Sequence, residues 1–364
     1  MKKDASLENQ DLRMTLLNCL VILCFEAWTG NQELALRQMQ TGISLIQEWN
    51  ADATNADRKS STSTSPVDED IIRLFDRLVL QVLSVTIAKS RSPACPDSLK
   101  RDGREALFLM PSKFSSLKEA GLYQSIIMRY GMHLITSMSQ QREGKKCFPF
   151  NCRGPKEEQD NLFEELHPVI ADTKRWSAAF EGLSKTLYSR GGTVMVSAAI
   201  LKLHLATLYL CLIGLVRADE MVYDEYHREF EEILELAEMV LRVEVLKSTR
   251  FCGFDVGVVI SLQFTAQKCR STGIRRKAIA LMSGNPRREV LLDSLFAARM
   301  MEWVADIEEE FMDNGQVPEW ARIRGVQHQR YSPYLHLRTA TLSCQQQTSE
   351  WSNELVIRQT AIFW

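Results

Sequence analysis

The sequence predicts an all-α fold of stacked helical hairpins that form one large domain. Apolar residues recur at three- and four-residue steps over long stretches, which is the periodicity of a helix. No segment shows sustained two-residue alternation bounded by hairpin turns, so strands should be scarce. The 364 residues are 45% hydrophobic and 25% charged, as in an ordinary globular protein. By length alone, one large helical domain or two smaller ones are allowed, and neither needs a disulfide or a metal to hold its core.

Residues 1–50 predict an N-terminal helical hairpin. Apolar side chains line one face over residues 12–28, and Gly30 suits the left-handed position past a helix end. Asn31 is a favourable first cap for the second helix. Gly42 lies on the apolar stripe of that helix, where a missing side chain lets a neighbouring segment approach closely.

The hairpin is followed by a predicted linker and then by the main helical body. Residues 51–67 predict a flexible Ser/Thr-rich linker, because ADATNADRKSSTSTSP has no apolar side chain larger than alanine. Residues 68–330 are the predicted body, with loops at 91–112 and 141–158. A helix break is expected before Pro168. The helices of the body are predicted at 68–87, 115–139, 158–189, 194–216, 225–246, 256–269, 273–283 and 287–312.

Two parts of the chain need a separate interpretation. Residues 194–216 are apolar and long enough to cross a bilayer, but Lys202 and His204 near the middle make insertion costly. We therefore expect a central buried helix and no contact with a membrane.

Residues 317–326 predict a turn into a last helix or an edge piece, and residues 331–364 predict an atypical, poorly ordered tail.

Charge and cysteine content limit the class of protein. The formal net charge of −2 argues against broad attraction to nucleic acid or acidic membranes. Nine cysteines are scattered without any CxxC pair, which predicts free thiols in a reducing compartment. Asp4, Glu8 and Asp11 interrupt the N-terminus before any apolar stretch, so no secretory signal is expected.

Residue types that carry catalysis do not group in the sequence. It has no phosphate loop, no GxSxG and no HExxH. Six histidines are spread singly, and Cys147 with Cys152 is one loose pair where zinc needs about four ligands. The dense carboxylates of EFEEILELAEM and ADIEEEF are assigned to solvated helix faces. We therefore predict no catalytic residue, no cofactor and no metal, and hence a protein that is not an enzyme.

The most pointed charged feature is a pair of basic clusters. Arg275, Arg276 and Lys277 precede Arg287 and Arg288 in IRRKAIALMSGNPRRE. Such clusters could be bound by a nuclear import receptor or by an acidic partner. In the alternative interpretation they flank two short helices and pair with nearby acids such as Glu289. The alternative is favoured because AIALM between the clusters has the composition of a structured segment.

LLNCLVILCFEAWTGNQELALRQMQTGISLIQEW resembles a segment of the regulatory region of fungal binuclear zinc-cluster transcription factors. The matching residues are Phe25, Glu26, Gly30, Asn31, Ala35, Leu36, Gln40 and Gly42, with Gln40 where the family usually has histidine. The similarity continues in DEDIIRLFDRLVLQ, returns from FDVGVVISLQF onward and ends in VPEWARIRGV. Its most specific parts are KCR at 268–270, IRRKAI at 274–279 and PRRE at 286–289.

The resemblance covers most of residues 12–326 and implies an all-α regulatory domain. That family binds DNA through six closely spaced cysteines that hold two zinc ions; the cysteines here never approach that spacing. No DNA-reading residue is carried over, and no direct DNA binding is expected from this chain.

We therefore expect a non-catalytic regulator that acts through protein–protein contacts. Its partner would be a full-length zinc-cluster factor or a second copy of itself, and its location the nucleus, otherwise the cytoplasm. Family context connects it with fungal secondary-metabolite gene control. One alternative is a small-molecule-sensing helical domain, since Met, Phe and Trp can enclose an apolar pocket. A third, an all-helical enzyme, lacks any convergent set of acid, base, nucleophile or metal ligand.

Overall fold

The computed structural model describes most of the chain. The described residues are 2–29, 31–57, 71, 74, 75, 78, 104–143, 156–216, 220–245, 251–253, 257–289, 292–330 and 338–364. The predicted linker residues 58–67, loop residues 91–103 and 144–155, and most of the predicted helix 68–87 lie outside them.

Helices dominate the described residues, which confirms the prediction of a predominantly helical fold. They are α1 Lys2–Thr29, α2 Gln32–Asp57, α3 Arg104–Phe108, α4 Leu117–Glu143, α5 Lys156–Arg190, α6 Gly192–Val216, α7 His227–Val245, α8 Val259–Lys268, α9 Thr272–Gly284 and α10 Ser294–Glu309. Short 3-10 turns occur at Glu220–Glu225 and Glu319–Ala321.

Helices α1 and α2 pack against each other as a hairpin. The amide of Asn31 donates to the carbonyl oxygen of Glu26 at 2.8 Å, and its side-chain oxygen accepts from the amide of Leu34 at 3.4 Å, as a capping residue does. Gly42 is buried, and a Cβ there would overlap the ring of Phe75. Helix α2 continues to Asp57, so the linker prediction is wrong for residues 51–57, where alanines and short polar residues extend the helix.

The described residues form two apolar cores. Helices α4, α5 and α6 surround one of them. Trp176 is fully buried on α5, and its indole nitrogen donates to the carbonyl oxygen of Ala120 on α4 at 2.8 Å. The predicted break before Pro168 does not occur, since α5 runs through it. Leu166 and Val169 on either side are buried in this core, and their packing compensates for the hydrogen bond that proline cannot donate.

Helix α6 belongs to both cores. Leu203 and Leu210 pack in the core that α1 and α2 share with the C-terminal helices, whereas Leu205 and Leu208 pack on α4 and α5. By length and composition this one described helix could cross a membrane, and half of its most apolar stretch is buried inside the protein. Its central cation, Lys202, forms ion pairs with Glu232 and Glu181 at the surface.

A small sheet occupies part of the region predicted as helix 287–312. Strand β1 (Phe251–Gly253) pairs parallel with β2 (Arg287–Glu289), which pairs antiparallel with β3 (Leu292–Asp293). Helix α10 therefore begins only at Ser294. The Asp293 carboxylate accepts from the amides of Leu295 and Phe296, and this cap fixes the start of the helix.

A second sheet closes the chain and corrects the all-α prediction. Strands β4 (Arg324–Arg330), β5 (Thr339–Ser349) and β6 (Ser352–Phe363) form an antiparallel sheet in the order β4-β5-β6. Residues 317–326 are thus a turn followed by an edge strand. The expectation of a poorly ordered tail is wrong for 338–364, because alternate residues of β5 as far as Gln346 are buried in the protein. These inward residues are Ala340, Leu342, Cys344 and Gln346.

Candidate functional site

The densest group of functional side chains is buried between the C-terminal elements. It consists of Glu220, Lys268, Arg270, Arg275, Glu308 and Arg322, called here the charge cluster. These residues come from the first 3-10 turn, α8 and the residues after it, α9, α10 and the segment before β4.

Glu308 is the centre of the charge cluster. It is completely buried, and its Oε1 accepts from the guanidinium of Arg270 at 3.1 Å and from the amide of Ile323 at 2.6 Å. Its Oε2 pairs with the guanidinium of Arg275, which is also completely buried. Burial alone would raise the pKa of Glu308, but the charges of Arg270 and Arg275 outweigh it and lower the pKa.

Glu220 is the second acid of the charge cluster. Its carboxylate lies 2.6 Å from Lys268 Nζ and 3.1 Å from Arg270 Nη1. Burial acts to raise the pKa of Glu220, but these two cations outweigh burial and lower it to about 2. The carboxylate is therefore charged at neutral pH, and each of its oxygens has a cationic partner.

Arg322 ties the segment before β4 to the charge cluster. It donates to the carbonyl oxygen of Glu220 at 2.7 Å, to that of Val317 at 3.0 Å and to the carboxylate of Asp224 at 2.5 Å. Buried ions matched in this way hold elements in a fixed arrangement. Both carboxylates of the cluster, Glu220 and Glu308, are thus held by cationic partners from other segments of the chain.

A buried acid also sits at the start of α8. The Glu289 carboxylate accepts from the amides of Gly257, Val258 and Val259 at 3.0 to 3.1 Å, where the helix dipole favours a negative charge. A Cβ at Gly257 would overlap this carboxylate, so glycine is needed there. Burial raises the pKa of Glu289 to about 7, although Arg287 at 4.0 Å and the three amides act against it.

The predicted basic clusters do not form one surface patch. Arg275 lies inside the charge cluster, and Arg287 is buried beside Glu289, the acid named in the alternative interpretation. Arg276 pairs with Asp306 and Glu309 at 2.7 and 2.6 Å, and Lys277 pairs with Glu238 at 2.6 Å. Arg288 is partly buried. An import receptor could reach Arg276 and Lys277, but Arg275 and Arg287 point inward.

Sequence reasoning missed the acids of the charge cluster. Glu308 was assigned to a solvated face, which is wrong. Glu308 continues the buried stripe of Met301, Val304 and Ala305 at helical spacing. This spacing in the sequence could have indicated that Glu308 is buried. Glu220 and Arg322 gave no such signal, because their partners are distant in sequence.

Metal ligands and reactive thiols do not converge in the described part of the chain. No group of three or more His, Cys, Asp or Glu there could hold a metal ion; Cys147 and Cys152 lie outside it. Burial raises the pKa of Cys211 and of Cys344 to about 12, so these thiols stay protonated at neutral pH.

An open cleft of about 270 Å³ lies between α10 and the end of β6. Drug-sized ligands occupy pockets of roughly 300 to 1,000 Å³ that enclose most of the ligand. The cleft is too small and too open for that role, and the ligand-sensing alternative stays a prediction. Its lining residues are Arg299, Glu302, Trp303, Asp306, Ile362 and Phe363.

Comparison of the chain with protein-family models, with curated proteins and with solved structures gives no match. The likeness to fungal zinc-cluster factors therefore rests on the residues that carry it.

Proposed function

We propose that this chain is a non-catalytic regulator of transcription whose stacked helical hairpins form one large regulatory-type domain. The observation that carries the proposal is the position of the residues most specific to the resemblance. Arg270 and Arg275 bind Glu308, and Glu289 caps α8, all in the interior. Residues in these positions stabilise a scaffold, and a scaffold acts through its surface.

Helix α1 offers a surface suited to a protein partner. Val21 and Phe25 are 67% and 64% exposed, and Met14 continues the same face about two turns before Val21. Apolar side chains four and seven residues apart share one side of a helix and can enter the groove of another protein. This row lies within the hairpin that resembles the family.

The partner in this proposal is a full-length zinc-cluster factor with the same kind of regulatory helices, and the site of action is the nucleus. The chain would modulate a DNA-bound factor without contacting DNA. Its net charge of −2 and the ion pairs of Arg276 and Lys277 support that division of roles. Control of secondary-metabolite genes is the context that the family implies.

A reporter assay tests the proposal. The intact chain is expressed with a full-length zinc-cluster factor whose binding site drives the reporter gene. We expect reporter output to change with wild-type chain and to return to the level of the factor alone with the double variant Val21→Ser/Phe25→Ser.

The matched control is Phe108→Ser/Leu109→Ser, which changes two residues that are 80% and 79% exposed on another part of the surface. It should behave as wild type. Equal effects of both double variants, or an unchanged reporter with well-expressed wild-type chain, would overturn the proposal.

A further inference from the structure

Strand β6 is a long edge strand. It has 12 residues and pairs with β5 on one side only, at the outer position of the sheet. The register with β5 is regular from Phe363 to Leu355, and its one irregularity lies near the turn. Edge strands of soluble proteins are usually protected by lysine, proline or bulges. Along this regular stretch β6 has no lysine and no proline, and its one charged side chain, Arg358, is bonded within its own chain. Among the described strands none pairs with its outer side, where a further strand could add.

The solvent-facing side of β6 is apolar except at Gln359. Ile357 and Phe363 are 68% and 70% exposed, and Leu355 and Ala361 lie on the same face. The opposite face contacts the protein: Ile362 packs against the core, and Arg358 bonds Gln346 and Glu310. An exposed apolar row beside open backbone groups is the combination that strand pairing uses.

The charges of β6 are complementary to a second, antiparallel copy of itself. With a two-fold axis at Val356, Glu354 of each copy lies opposite Arg358 of the other, and Leu355 lies opposite Ile357. Shifting the axis to either neighbouring residue places both charges opposite uncharged residues. Arg358 uses Nε and Nη2 within its own chain, which leaves Nη1 for the facing carboxylate.

Trp351 supports the same register. It is 92% exposed in the turn between β5 and β6. The axis at Val356 places it opposite Ala361 of the other copy, beside Phe363 and the cleft on α10. Two Trp351 and two Phe363 rings, at roughly 150–250 Å² each, would bury about 600–1,000 Å². That approaches the ~1,000 Å² of a specific interface before any other contact is added.

We propose that two copies of this chain pair through β6 around a two-fold axis at Val356, forming a continuous six-stranded sheet. This inference does not rest on the proposed regulatory function, because the dimer follows from β6 alone.

Sedimentation of the full chain tests the register by charge reversal. Wild type should pass from the 41.6 kDa monomer to a dimer as concentration rises. Glu354→Arg places arginine opposite arginine twice and should weaken dimerisation roughly tenfold or more. The swap Glu354→Arg/Arg358→Glu restores opposite charges across the axis. Because it also sets the glutamate introduced by Arg358→Glu against Glu310 of the same chain, it should recover part of the affinity that Glu354→Arg loses. Glu231→Arg, an exposed reversal on α7, should have no effect.

A cysteine substitution gives a second readout that does not depend on charge. Val356 faces itself across the axis, with Cα atoms about 4.5 to 5.5 Å apart as in antiparallel pairs, which a disulfide can bridge. Oxidised Val356→Cys should run as a covalent dimer, whereas Glu231→Cys and wild type should not. A monomer at all concentrations, or a dimer that ignores Glu354→Arg and leaves Val356→Cys uncrosslinked, contradicts the proposal.

Discussion

At the scale of single residues, Glu308 is the acid that two buried arginines share. Arg270 approaches it from the residues after α8 and Arg275 from α9, and the amide of Ile323 adds a third contact. A buried ion pair adds little over an apolar core of the same shape, but removing one partner leaves the other charge without compensation. The arrangement is therefore most sensitive to substitutions that keep shape and remove charge.

Glu308→Gln should destabilise the fold by about 3–5 kcal/mol, because buried Arg275 loses its close counter-charge and buried Arg270 keeps only Glu220. Urea unfolding followed by circular dichroism measures this free energy. Glu302→Gln is the control: Glu302 pairs with Arg299 on the exposed face of the same helix, and losing that pair should cost less than about 1 kcal/mol. Equal costs for the two variants would show that the charge cluster does not stabilise the fold.

Glu289 should make stability depend on pH. Burial raises its pKa to about 7 from an ordinary value of 4.5. An acid whose pKa is higher in the folded state binds more protons when folded, so the free energy of unfolding falls as pH rises between these values. The fall amounts to about 3 kcal/mol. The stabilisation from Glu289 is fully present below its pKa in the unfolded chain and is lost as pH rises through its pKa in the folded protein.

Unfolding of wild type and Glu289→Gln from pH 5 to pH 8 isolates this contribution from that of the other titrating groups. Wild type should lose stability relative to the glutamine variant as pH rises. Parallel pH profiles for the two proteins would exclude a raised pKa at Glu289.

At the scale of elements, helices were predictable where the apolar residues of a segment lie on one face and pack into the core. The α1–α2 hairpin follows from apolar spacing and from Asn31 as a cap. The strands β5 and β6 were missed because polar residues take inward positions, Gln346 in β5 and Arg358 in β6, and interrupt the two-residue alternation. The end of α2 was misplaced because alanines and short polar residues occur both in linkers and in helices. Their composition alone does not show where the helix ends.

The close contact between α2 and Phe75 gives a prediction at this scale. Gly42→Ala should destabilise the protein by about 1–3 kcal/mol, because the added methyl group meets the Phe75 ring. Gly182→Ala on α5 is the control: nothing lies within 4 Å of its Cβ position, and alanine favours a helix. Thermal unfolding should show opposite shifts of the melting temperature, and the double variant Gly42→Ala/Phe75→Leu should recover part of the loss. Equal shifts for both glycines would refute the contact.

At the scale of the whole molecule, interior and surface have different roles. The six residues of the charge cluster come from segments up to 102 residues apart, as between Arg322 and Glu220. Such pairing follows from the fold, and local periodicity contains no information about it. Sequence alone therefore predicted the helical class and an apolar core, but not the charge cluster or the C-terminal sheet. The exposed apolar rows on α1 and β6 are the surfaces that we propose for contact with other proteins.

We propose that this chain acts on a DNA-bound partner without contacting DNA. A gel-shift titration at physiological salt, with the purified full chain, a zinc-cluster factor and the DNA site of that factor, tests it most directly. We expect no shift of DNA by the chain alone, and a slower band when chain is added to the factor–DNA complex. Sequence-specific binding by the chain alone, or an unchanged factor–DNA band at saturating chain, would contradict the account.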